Sequence, residues 1–283
     1  MEKIIDMLKT NLDFNDLRKT TYRRYMYCII KFLEYVNSLS SEINLEKARE
    51  FLNYLRKDKK LSIGTVNDYR SSIKYLFEVV LDKGWNDRKV PRLKGYNPLP
   101  TILSKTEVKN ILNSVDNIVY RTLLTTVYSS GLRIQEAINL KVSDIDSKRM
   151  QLYIRESKNG SARYAILSEK NLETLRSYFK TYWLKKFGKY HGEDYIFCVN
   201  KKCSPVTART IRTALVNAAI KAGIHKKVTI HTLRHSFATH LLESDTNLFT
   251  IKQLLGHKSI RSTCIYLHVV DMQSLGAISP FDS

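Results

Sequence analysis

The sequence predicts an all-α helical bundle followed by a mainly α domain that carries a small β-sheet (α+β). Three observations predict it. Apolar residues recur at helical spacing through the first third. A proline-bearing basic stretch then breaks every regular pattern. Beyond it, helical segments flank two short runs joined by an Asn-Gly turn. The chain has 283 residues and 43% hydrophobic content, enough for one large core or two modest ones.

In the first domain, residues 1–87, "TYRRYMYCIIKFLEYV" lines up Tyr22, Met26, Ile29, Leu33 and Val36 on one helical face. "NLEKAREFLNYLRK" starts on Asn44 as N-cap. "SIGTVNDYRSSIKYLFEVVLDKG" aligns Val66, Tyr69, Ile73, Leu76, Phe77 and Val80, with Gly84 as the expected stop. The opposite faces carry Arg23, Arg24, Lys31, Arg70 and Lys74. Such charges fit a solvated face and a polyanion-binding face equally well.

Residues 88–101 read as a linker, with prolines at 91, 98 and 100 and Gly95 among lysines and arginines. In the second domain, residues 102–283, "SKTEVKNILNSV" opens on a Ser104/Glu107 capping box. "NIVYRTLLTTVYSSG" is a helix ended by Gly131, and "LRIQEAINL" the next. "MQLYIRESKNGSARYAIL" is a hairpin, and "DYIFCV" a further strand. "TARTIRTALVNAAIKAG" runs from Thr207 to Gly223, and "HTLRHSFATHLLES" and "NLFTIKQLLG" follow, the last with Gly256 in the C′ position. In the tail, 271–283, Met272, Leu275 and Ile278 recur at spacing three. A short helix there suits packing on its own domain or on a neighbour.

Lysine and arginine number 47 against 27 acids, a formal charge of +20, which favours a polyanion as partner. Nucleic acid comes first and an anionic membrane surface second. No apolar run approaches the roughly 20 residues of a spanning helix, and "MEKIIDMLKT" has no secretory apolar core. The expectation is an intracellular protein with no membrane association. The four scattered cysteines form no disulfide framework, and "CVNKKC" lacks the second close pair a zinc site needs. No metal is expected.

Several residues can carry chemistry. His231 and Arg234 share a face near a helix start, where free N–H groups also favour an anion. An ordinary polar helix turn explains that pair too. His235 lies four residues beyond His231, but the zinc-protease glutamate is missing between them. Arg133 follows a glycine joint, with Glu136 three residues on as a capping partner or an orienting one. Lys158 sits at the hairpin tip, solvated or able to reach a substrate. His257 follows Gly256, and Tyr266 comes nine residues later.

In this order, "SGLRIQEAINLKVSDID", "SKNGSARYAIL", "HTLRHSFATHLLE" and "LLGHKSIRSTCIYLHV" resemble the tyrosine recombinase (phage integrase) family, notably its Xer-like members. The matching stretches span most of residues 101 to 270. The resemblance implies a C-shaped clamp around double-stranded DNA, with specific core sites and a homotetramer on two duplexes. Tyr266 would be the nucleophile and Arg133, Lys158, His231, Arg234 and His257 the rest of the site, with Glu136 orienting. His231 is also a candidate to assist proton transfer from Tyr266, and surrounding cations would favour its phenolate. The product would be a 3′-phosphotyrosine and a free 5′-hydroxyl, leading through a Holliday junction without metal, ATP or other cofactor. Arg70, Lys74, Arg209 and Arg212 are candidate DNA contacts. In this family such a tail docks on a neighbouring protomer. About twenty residues precede the first helical pattern, too few for a separate arm-site domain, which points to a simple core-site recombinase. The expected location is cytoplasmic and nucleoid-associated. Two other readings compete: a type IB topoisomerase, and a DNA-binding protein without catalysis.

Overall fold

The computed structural model describes the chain except residues 16, 96–97, 156–161, 200–202 and 271–283. The chain divides into two compact units, Met1–Asn97 and Pro98–Ser283.

The first unit is a helical bundle of α1 (Glu2–Phe14), α2 (Lys19–Ser38), α3 (Leu45–Lys57) and α4 (Ile63–Tyr75). α1 fills the stretch where sequence reading found no element, and it buries Leu8 and Leu12 completely. Ile4 and Ile5 pack beside them, so the stripe stands in "EKIIDMLKTNL" at helical spacing even though the sequence reading passed over it. Asn44 caps α3 by accepting from Lys47 N at 2.9 Å. All six apolar positions aligned along α4 and its extension are buried. That extension is a π-helical turn, Leu76–Val80, and the left-handed residue that follows is Asp82 (φ 49°). The helix thus stops before Gly84.

After α4 the chain folds back without regular structure, yet it is held. The Asn67 amide donates to Leu93 O and accepts from Leu93 N, both at 3.0 Å. Arg70 Nε donates to Val90 O at 2.8 Å, and its guanidinium pairs with Asp87 and lies over the Trp85 ring. The expectation of Arg70 on an outward basic face is therefore corrected. The returning segment covers that face, and a carboxylate and a carbonyl satisfy the buried guanidinium. Lys74, alongside, pairs with Asp87 at 3.2 Å and Glu78 at 3.6 Å.

The second unit contains α5 (Lys105–Asn113), α6 (Ile118–Ser130), α7 (Ile134–Ile138), β1 (Ile145–Asp146), β2 (Gln151–Ile154) and β3 (Arg163–Ile166). These are followed by α8 (Glu169–Tyr178), α9 (Leu184–Phe187), α10 (Ala208–Lys221), α11 (Ile230–Leu242), α12 (Leu248–Leu255) and α13 (Arg261–Cys264). The Ser104/Glu107 capping box forms, and Gly131 ends α6 at φ 60°. The sheet is antiparallel in the order β1-β2-β3, with Leu152 opposite Ala165 and Tyr153 opposite Tyr164. The two-residue β1 was not legible in the sequence. "DYIFCV" is not a strand: it makes only isolated bridges, Lys141 to Tyr195 and Cys198 to Pro205. Its consecutive residues Ile196, Phe197 and Cys198 are all buried. The run enters the core as irregular chain instead of lining one sheet face.

Two apolar clusters organise this unit. The larger joins α5, α6, α8 and α10 to the sheet around Leu123, Val127, Leu152, Phe197 and Leu215. The smaller gathers Phe237, Leu242, Ile251, Leu255 and Tyr266 from α11, α12 and the 3-10 turn Ile265–His268 after α13. The candidate site lies where α7, β3 and the end of α12 meet α11.

Candidate active site

Glu136 is the centre of the site, with its side chain 3% exposed. It sits on the short α7, and its Oε2 accepts the backbone N–H of Arg133 at 2.8 Å, capping that helix. Three guanidiniums surround the carboxylate. Arg133 Nη1 donates to Oε1 at 2.8 Å. Arg163 donates to both oxygens, at 3.0 and 2.9 Å, in the bidentate geometry only arginine offers. Arg234 Nη1 lies 3.8 Å from Oε2. Burial alone would raise the Glu136 pKa. Arg163 and Arg133 outweigh it and hold the carboxyl below its ordinary range.

The arginines also reach the chain ends around them. Arg234 donates to Gly131 O at 2.6 Å and Leu255 O at 2.5 Å, two carbonyls at helix C-termini. Arg163 Nε donates to Leu254 O at 3.0 Å, and Arg133 Nη2 to Gly256 O at 3.3 Å. Gly131 permits the close approach of α11: a Cβ there would fall 2.4 Å from the Phe237 ring. Burial and the neighbouring Arg133 push the pKa of Arg234 down to about 9, which leaves it charged at neutral pH. Three cations around one carboxylate leave a positive surplus in a sheltered place, which suits a bound anion.

Tyr266 approaches this cluster from the other side. Its ring is 1% exposed. The hydroxyl shares a 3.1 Å hydrogen bond with His235 Nδ1. The His257 ring stacks near it, 6.4 Å between centroids and 13° from parallel, and His257 Nδ1 is hydrogen-bonded to Thr263 Oγ1 at 3.0 Å. Burial, with help from nearby cations, pushes both His235 and His257 down to about 4, so both are neutral imidazoles.

Most of the residues singled out from sequence therefore come together: Arg133, Glu136, Arg234, His257 and Tyr266. His231 occupies the exposed first turn of α11, its ring 6.4 Å from that of His235. Lys158 lies outside the described residues, as does the tail with Met272, Leu275 and Ile278. Arg209 and Arg212 are exposed on α10. Two expectations need correction. The Tyr266 hydroxyl is hydrogen-bonded to His235, which the sequence suggested only as a metal ligand. And the phenol is not driven towards its ionised form. Burial raises its pKa by more than Arg234 and Arg133 lower it. Arg163 was missed altogether. Its only signal was a charged residue at the head of an otherwise apolar strand, "RYAIL".

A model of the phage integrase family matches residues 101–273, and one of the phage integrase N-terminal SAM-like domain matches residues 4–87. The chain belongs to the phage integrase family of tyrosine recombinases. Tyrosine recombinase XerA of Pyrococcus horikoshii is 31% identical over 271 residues, covering 94% of this chain and 89% of that protein. A tyrosine recombinase of Thermosipho africanus is 28% identical over 293 residues, covering 98% and 99%. Among solved structures, XerH site-specific recombinase bound to a palindromic difH substrate, in a post-cleavage complex, superposes with a TM-score of 0.74. It is 24% identical, with 93% of this chain and 80% of that one covered. This member of the tyrosine recombinases is accordingly a tyrosine-type site-specific recombinase, and the topoisomerase and non-catalytic readings are not favoured.

Proposed function

We propose that this recombinase cleaves DNA by attack of the Tyr266 hydroxyl on a backbone phosphate clamped by Arg133 and Arg234, with His257 adding a hydrogen bond. The observation that carries this reading is the surplus of guanidinium charge around Glu136 beside the buried Tyr266 hydroxyl. A phosphodiester already carries negative charge, and more accumulates on its non-bridging oxygens as the phosphorus becomes five-coordinate. Fixed, forked cations stabilise that charge without reorganising. A bond forms from Tyr266 Oη to phosphorus, and the bond to the 5′-oxygen breaks. As Oη attacks, His231, on the exposed turn of α11, takes up the Tyr266 proton, and Lys158 supplies a proton to the leaving 5′-oxygen. The product is a 3′-phosphotyrosine that a 5′-hydroxyl of another duplex reverses.

The partner is double-stranded DNA with specific core sites, and the exposed Arg209 and Arg212 are candidate contacts to its backbone. Lys74 belongs in the same group, although its carboxylate partners must yield to a phosphate. Four copies on two duplexes carry out the exchange through a Holliday junction, with the tail beyond residue 270 docking on a neighbour. Support comes from the family and from relatives solved on DNA. The test is a plasmid carrying two copies of the site from the DNA around the gene. Deletion or inversion between the sites is expected. Relaxation of supercoils without exchange would contradict the reading.

A further inference from the structure

One buried group has no part in the chemistry above. Arg163 stands at the head of β3, five positions after Lys158 in the sequence. Its side chain is only 9% exposed. Three of its bonds converge on two other elements. Two go to the two oxygens of Glu136, at 3.0 and 2.9 Å, and Nε goes to Leu254 O at 3.0 Å.

The packing is as specific as the hydrogen bonds. Gly256 ends α12 in the left-handed region, at φ 63°. A Cβ there would lie 2.8 Å from Arg163 Cδ and 3.0 Å from Nε. The glycine that presents His257 is therefore shaped around the Arg163 stem. Arg133 bonds to Gly256 O as well, so the same turn is gripped from two sides.

We propose that Arg163 is a positioning residue that locks Glu136, the Arg133 guanidinium and the Gly256–His257 turn into one rigid frame and ties that frame to β3. The inference rests on the reading of Tyr266 and its arginines as the cleaving site. Arg163 acts on the phosphate through Arg133 and His257, not directly. A lysine cannot replace it, because one ammonium cannot fork across both oxygens of Glu136 and also reach Leu254 O. Without Arg163, Glu136 would keep Arg133 but lose the partner that fixes the plane of its carboxylate. A displacement of the clamped phosphate on the order of 1 Å is enough to slow chemistry by about 100-fold.

The test uses the full chain and a nicked duplex bearing the site mapped for the wild-type protein. The rate of covalent adduct formation is measured in a single turnover for wild type, Arg163→Gln, Arg163→Lys and Tyr266→Phe, with DNA affinity measured in parallel. We expect Arg163→Gln to bind DNA like wild type and to form adduct about 100-fold more slowly. Free guanidinium, below denaturing concentration, should restore part of that rate, because it can refill the fork, whereas a residue that only stabilises the fold would gain nothing from it. Arg163→Lys should also stay slow, and it carries the test if Arg163→Gln does not fold. A wild-type rate in either variant, or a folded Arg163→Gln that guanidinium leaves unchanged, overturns the proposal. Adduct formed by Tyr266→Phe would instead overturn the reading of the site beneath it.

Discussion

The Tyr266 hydroxyl is bonded to Nδ1 of His235 at 3.1 Å, one helical turn beyond His231 on α11. This contact keeps the phenol ring inside the small apolar cluster, with a polar partner for its only polar atom. Burial makes that imidazole a weak base, its pKa pushed down to about 4, so the shared proton stays on the phenol. Burial then dominates and the phenol stays protonated beyond its ordinary pKa of about 10. The difference in absorbance titration between wild type and Tyr266→Phe should show this tyrosine ionising above the ordinary range. Ionisation below it would mean that the cations outweigh burial.

Glu136 holds its charge only because arginines surround it. Glu136→Gln removes the counter-charge from three guanidiniums and leaves them to repel one another in a sheltered place. Breaking a buried pair in this way costs about 3–5 kcal/mol. The urea midpoint of the variant should fall accordingly, with an unchanged slope. A midpoint like that of wild type would show that the cluster relaxes freely.

The depressed pKa values of His235 and His257, about 4 against an ordinary value near 6.5, predict a pH window. Between these values the unfolded chain binds protons that the folded chain does not. Their contribution to stability is present above about pH 6.5 and is lost as the pH falls through about 4. Denaturant melts across that window should show stability declining with acid, and less steeply in His235→Gln. Equal slopes in the two proteins would contradict the burial account of His235.

Gly131 carries both a left-handed φ of 60° and the contact with Phe237. Gly131→Ala must strain the backbone and displace the ring that packs α11 on α6. Overpacking of this kind costs about 1–3 kcal/mol. The thermal midpoint should fall, and cleavage should fall with it, since Arg234 bonds to the carbonyl of the same glycine. A neutral effect on both would argue against a rigid joint.

The formal charge of +20 predicts that DNA affinity drops steeply with salt, in proportion to the phosphates neutralised. Arg209→Ala and Arg212→Ala should each lower the slope of log affinity against log salt by about one. An unchanged slope removes that residue from the backbone contacts.

Much of this architecture was legible because it rests on local rules. Asn44 and Ser104 cap helices by short-range hydrogen bonds, and Gly131 and Gly256 end them by left-handed geometry. The order Arg133, Arg234, His257, Tyr266 likewise pointed to one site. What could not be read depends on contacts distant in sequence. Arg163 meets Glu136 across 27 residues and Leu254 across 91. His235 meets Tyr266 across 31. Arg70 seemed outward because helical periodicity says nothing about a segment that later folds over the helix. The ionisation of Tyr266 was misjudged for a similar reason. Nearby arginines can be inferred from a motif, but the depth of burial that outweighs them cannot.

The most direct measurement is denaturing electrophoresis of the protein on a nicked duplex bearing its site, for wild type and Tyr266→Phe. Wild type should become covalently attached to the DNA through residue 266. The phenylalanine variant should bind the same duplex with equal affinity and form no attachment. A covalent adduct in the variant, or a wild-type adduct mapped to another residue, would contradict the account.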